Sequence, residues 1–76
     1  MTKFEYINTN LPHIRSEVRK GLIPVGTIKH YEVYSRYDHY LKQGYDKSKA
    51  INFAGEDLRV SDRQVYRIIN IMEAEI

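Results

Sequence analysis

The stretch "VSDRQVYRII", residues 60–69, constrains the fold more than any other ten residues of the chain. Ser61 and Gln64 have the S-x-x-Q spacing of a capping box, in which the serine oxygen takes an orphan backbone N–H and the glutamine reaches back to the N–H of the capping residue. Val60 and Val65 occupy the two positions of a hydrophobic staple, which sets the angle at which the chain enters the helix. Past that start, Val65, Ile68, Ile69 and Met72 recur at helical spacing and are expected inside. Asp62, Arg63, Tyr66, Arg67 and Asn70 then share one outward arc.

Upstream, "DKSKAINFAGEDL" predicts a second helix, with Asp46 as its cap and Ala50, Ile51, Ala54 and Leu58 facing inward. Two helices joined by a tight turn, with a small residue where they approach and a branched apolar residue beyond the turn, describe a helix-turn-helix. Gly55 stands ten residues before Val65, where such a pair needs a small side chain, and Leu58 and Val60 would pin the turn from inside.

On these residues the segment from about Lys47 to Met72 resembles the helix-turn-helix of bacterial and phage transcription regulators. It is similar to the C-terminal part of middle-operon-regulator activators and to small regulators of mobile elements, which end in a comparable "VS-x-R-x-VYR-I-I" run. The resemblance is strong over about the last third of the chain, weak over the tyrosine-rich segment before it, and does not reach residues 1–22. It implies that residues 61–72 form the helix that enters the major groove. One position departs from the pattern: the turn site usually given to glycine is Arg59, and a non-glycine residue held left-handed costs about 1 kcal/mol or more.

The rest of the chain reads as helix without a convincing sheet. "TNLPHIRSEVRKG" predicts a helix capped by Thr9 or Asn10, with Pro12 in its first turn, Gly21 just past its end, and Leu11, Ile14 and Val18 on one face. Residues 1–8 are compatible with an arm, a helical turn or a short strand. In "TIKHYEVYSRYDHYLKQGY", Tyr31, Tyr34, Tyr37 and Tyr40 recur every three residues, and at about 100° per residue that spacing puts Tyr31 and Tyr40 on opposite sides. Val33, Tyr37 and Leu41 make the inward line, flanked by His30, Tyr34 and Tyr40, while Lys29, Glu32, Ser35, Arg36, His39, Lys42 and Gln43 face solvent. These tyrosines are therefore expected as core and rim, not as a stacking platform for bases, which would need aromatics on a basic surface.

The expected fold is all-α: one domain, a small bundle of about four helices, with an N-terminal arm and helix over 1–22, a tyrosine-rich helix over 24–43 and the helix-turn-helix over 46–76. At 76 residues the core is thin. The absence of cysteine leaves no disulfide or Cys-based zinc site to reinforce it. No apolar run approaches the ~20 residues of a membrane span and no signal-peptide layout opens the chain, so a cytoplasmic home is expected.

Formal charge is +2. Residues 46–76 hold five basic and six acidic groups, so the segment resembling a DNA reader is not strongly basic overall. Within it, however, Lys47, Lys49, Arg59, Arg63 and Arg67 cluster, and the acidic excess sits at the ends, in Asp46, Glu73 and Glu75.

Catalysis has little support. His30 and His39 lie nine residues apart and point in opposite directions on a helix, His13 is isolated, and no nucleophile lies beside a base. No glycine loop for phosphate and no metal-ligand spacing is present, so neither an enzyme nor a cofactor is expected. The outward arc is suited to DNA instead. Arg63 and Arg67 can fork onto guanine, Asn70 can pair adenine, and Tyr66 can meet a thymine methyl or a phosphate. Lys47, Ser48, Lys49 and Ser61 are placed for phosphate oxygens at helix starts. The expected function is sequence-specific binding of double-stranded DNA by a small transcriptional regulator of a phage or mobile element. A homodimer would set two reading helices roughly 34 Å apart, with Phe4, Tyr6, Ile7, Tyr31 and Ile76 as candidate contact residues. The alternative is a protein-interaction module, adaptor or antitoxin-like, in which the helix-turn-helix is architecture only.

Overall fold

Residues 1–8, open to three readings in the sequence, begin a helix. The computed structural model describes residues 1–76 and has five α-helices, one more than expected: α1 (Lys3–Thr9), α2 (Leu11–Arg19), α3 (Gly26–Lys42), α4 (Lys47–Leu58) and α5 (Asp62–Met72). A complete capping box opens α1. Thr2 Oγ1 accepts from the Glu5 N–H at 3.1 Å, and Glu5 Oε1 accepts from the Thr2 N–H at 2.7 Å. The bonds with Thr2 hold the Glu5 carboxyl below the usual carboxylate range. Seven residues make too short a helix to persist alone; α1 is held by burial of Ile7 and by Phe4, whose ring stacks on Tyr31 at 5.5 Å and meets Tyr34 at 4.5 Å.

The start of α2 differs from expectation. Neither Thr9 nor Asn10 caps it through its side chain. The Asn10 amide instead donates to the Tyr6 carbonyl at 2.8 Å and so closes the end of α1. Pro12 does sit in the first turn, where its missing N–H costs nothing, and Gly21 follows the helix with φ of 79°. α2 packs on α1 and buries only Ile14, leaving Leu22 and Val25 beyond it 69% and 75% exposed.

α3 is the central element and touches α1, α4 and α5. Val33 and Tyr37 are buried and Leu41 packs against the core, as the helical spacing requires. The three-residue tyrosine repeat distributes itself around the helix: Tyr31 meets α1, while Tyr40 meets Phe53 of α4 at 5.3 Å. Tyr31, Tyr34 and Tyr40 each spend their hydroxyl inside the chain, donating to Asn8 Oδ1 at 2.7 Å, Glu73 Oε2 at 2.9 Å and Asp57 Oδ2 at 2.6 Å. Beneath them Ile51, Val65, Ile69 and Met72 join Val33 in the fully enclosed centre. The ends of the chain meet: the Lys3 N–H donates to the Ala74 carbonyl at 2.8 Å and the Ile76 N–H to the Met1 carbonyl at 3.1 Å. No helix is long and apolar enough to cross a membrane.

The phenols carry a pH dependence. Desolvation, then the Glu73 contact, raises the Tyr34 pKa; desolvation with the charges of Glu73 and Asp38 raises Tyr37; and the hydrogen bond to Asp57 raises Tyr40. Folded phenols thus hold their protons more tightly than unfolded ones. Their contribution to stability is complete below the unfolded value of about 10 and is lost as pH rises through the higher folded values. Tyrosinate absorbance followed together with circular dichroism should show late ionisation coinciding with unfolding, and Tyr34→Phe should make the alkaline loss shallower. Ionisation of all seven tyrosines in one step near the free-phenol value, with the fold intact, would contradict this.

Candidate nucleic-acid interface

α4 and α5 are joined by three residues, and the turn is closed by the backbone. Arg59 takes the left-handed conformation, φ 56° and ψ 47°, at the position where glycine is usual, and the Val60 N–H donates to the Gly55 carbonyl at 2.8 Å. This is the six-to-one bond of a helix that ends on a left-handed residue. The return of the chain over α4 explains Gly55: a Cβ there would lie 2.5 Å from the Val60 carbonyl oxygen.

Both helix starts are set by side chains. Asp46 Oδ1 accepts from the Lys49 N–H at 2.8 Å, as expected. Ser61 Oγ accepts from the Gln64 N–H at 3.2 Å, but the return bond from Gln64 is absent. Only half of the expected capping box forms, and the Gln64 amide is left for other partners. Lys47, Ser48, Lys49 and Ser61, the candidate phosphate contacts, are all exposed in or beside these first turns.

The inward and outward faces of α5 separate as its spacing predicts. Val65, Ile68, Ile69 and Met72 are buried; Arg63, Tyr66, Arg67 and Asn70 are exposed, Tyr66 by 49%. Asp62 is exposed as well, and its Oδ1 lies at the turn, 3.5 Å from where a Gly55 Cβ would stand. Most of the other acidic groups of this segment have partners within the chain. Asp46 caps α4; Asp57 accepts from Tyr40 and lies 3.7 Å from Arg36; Glu73 accepts from Tyr34; Glu75 pairs with the chain's own amino terminus at 3.1 Å. None of Lys47, Lys49, Arg59, Arg63 or Arg67 has an ion-pair partner.

One flank of α5 adds residues that sequence reasoning missed. Gln64, Arg67 and Ile68, spaced i, i+3, i+4 and so adjacent on the helix surface, face Lys29 and His30 of α3 across a cleft of about 200 Å³ floored by Val60. The sequence placed Lys29 on a solvated face and His30 at the edge of the core. Nothing local could have joined them to Arg67, because the cleft is made by the packing of α3 against α5. No protein-family model, curated protein or solved structure matches the chain.

Proposed function

We propose that the chain is a sequence-specific DNA-binding protein, a small transcriptional regulator of a phage or mobile element that acts in the cytoplasm. In this reading α4 and α5 are a helix-turn-helix with α5 in the major groove. The observation that carries it is the sorting of charge in residues 46–76: four of the six acids are tied to groups of the chain itself, and all five cations are free. Those five cations, exposed and without ion-pair partners, are available to phosphate oxygens. Arg63 and Asn70 stand on the outward arc to read base edges, with Tyr66 and Arg67 beside them, and Lys47, Ser48, Lys49 and Ser61 meet the backbone.

Binding to duplex DNA should weaken as salt rises, with log affinity falling against log salt by about 0.9 per phosphate neutralised. Lys47→Ala and Lys49→Ala should each make the slope shallower and weaken binding to every sequence alike. Affinity that ignores salt between low and physiological strength would remove this reading.

One observation favours the alternative, a protein-interaction module. Leu22 and Val25 are the most exposed large apolar residues, and Val18 and Ile28 line the groove beside Val25. Under the DNA reading the same surface would serve a homodimer. The contact residues expected from sequence change accordingly: Ile7 is buried and Phe4 and Tyr31 pack on the core, which leaves only Tyr6 and Ile76 of that set exposed.

A further inference from the structure

We propose that the cleft between α3 and α5 holds one phosphodiester of the DNA backbone, and that Arg67 is a clamp on that phosphate and not a reader of bases. The inference rests on the DNA-binding reading above and assigns a contact on the flank of α5, contributed partly by a helix outside the α4–α5 pair. Four groups able to donate hydrogen bonds line the cleft, Lys29, His30, Gln64 and Arg67, and no carboxylate does. Its other two residues, Val60 and Ile68, are apolar and keep water from that side. Its volume of about 200 Å³ is several times the roughly 30 Å³ of a water molecule, room enough for an oxyanion.

The donors are also available. The Gln64 amide N–H groups, which a capping box would not have used, donate to no group of the chain. Arg67 has no carboxylate partner, so its planar fork is free for two phosphate oxygens. Lys29 Nζ donates to the Leu58 carbonyl at 3.4 Å, a long bond that aims the ammonium at the turn and leaves its other protons for a ligand. Arg67 lines the cleft with Gln64 and Ile68, at the edge of the outward arc that it shares with Arg63 and Asn70, and its place in the cleft points it to phosphate. A helix seated in the major groove has the phosphate ridge along its flank and base edges under its outward face.

The test compares the wild type, Lys29→Gln, Arg67→Gln and the double variant on a selected duplex and on random duplex, across a range of salt. Melting curves confirm that each remains folded, as expected for exposed side chains. The double variant should lose about one phosphate from the salt slope, roughly 0.9, with the ratio of selected to random affinity unchanged. A duplex carrying one neutral methylphosphonate at the contacted position should weaken wild-type binding and leave the double variant unaffected. An unchanged slope, or a loss of preference at one base position with Arg67→Gln, overturns the phosphate assignment while DNA binding itself stands. Millimolar inorganic phosphate shifting the side-chain signals of His30 and Gln64, with no methylphosphonate effect at any position, means a small free anion occupies the cleft and also overturns it. A wild type that binds no duplex removes both this inference and the reading on which it rests.

Discussion

Ile69→Ala is expected to lower the free energy of unfolding by about 2–5 kcal/mol, and Arg63→Ala and Asn70→Ala to leave it nearly unchanged, although all three lie in the same helix. Ile69 is 1% exposed and packs at the centre of the ten-residue core with Ile51, Val65 and Met72. Truncation removes its burial and leaves a cavity that helices clamped from both sides cannot close. A domain of this size has only about 3–5 kcal/mol in reserve, so the variant should be marginally stable at best, with its urea midpoint moved sharply down or its transition lost. The two outward substitutions touch no buried group. Each should instead cost about 1–3 kcal/mol of discrimination at one base position of a selected duplex. If both leave sequence preference intact in a folded protein, α5 is bundle architecture and the protein-interaction alternative gains.

Gly55→Ala should reverse the usual effect of its substitution type. Inside a helix, alanine is more favourable than glycine by about 0.5–1 kcal/mol, and most such changes on an open helix face stabilise. Here the added Cβ would meet a backbone carbonyl at 2.5 Å, a contact that no rotamer change relieves. Either α4 and the Val60 peptide move apart, breaking the 2.8 Å bond that closes the turn, or the strain is retained. Overpacking of this kind costs about 1–3 kcal/mol, so the net result is a loss. Because the displaced group belongs to the turn that aims α5, a fraction of the variant that stays folded should also bind selected DNA less well. Unchanged or raised stability in denaturant would show that the helices are not in close contact at Gly55.

The features legible in the sequence were those set within a few residues. The starts of α4 and α5 follow from Asp46 and Ser61, and the inward face of α5 follows from its spacing alone. The same grammar was present at Thr2 and Glu5, yet α1 is hidden in the sequence. Phe4, Tyr6 and Ile7 are too few to show a period, and a helix so short is stabilised by Tyr31 and Tyr34, residues distant in the chain. Asn10 illustrates a different difficulty. An amide can donate to the last carbonyls of one helix or accept from the first N–H groups of the next, and its position between α1 and α2 suited both. Of the candidate site, the outward arc was legible, but the cleft that Lys29 and Arg67 share was not, because the two residues are brought together only when α3 lies against α5.

The pairing of the chain's ends gives α5 a property that its sequence does not advertise. Its first turn is fastened by Ser61, and just beyond its last turn Ala74 is bonded to Lys3 and Ile76 to Met1. With both ends fastened, the helix holds one backbone shape before it meets a partner. A segment that ordered itself only on contact would surrender about 2–5 kcal/mol or more of its interaction energy to that ordering, and could adjust its curvature to follow an imperfect target. A pre-shaped rod has neither the loss nor the latitude. On the DNA-binding reading proposed above, selectivity would come from intolerance: a mismatched groove would leave donors of the rod unsatisfied, because the backbone could not bend to find them other acceptors.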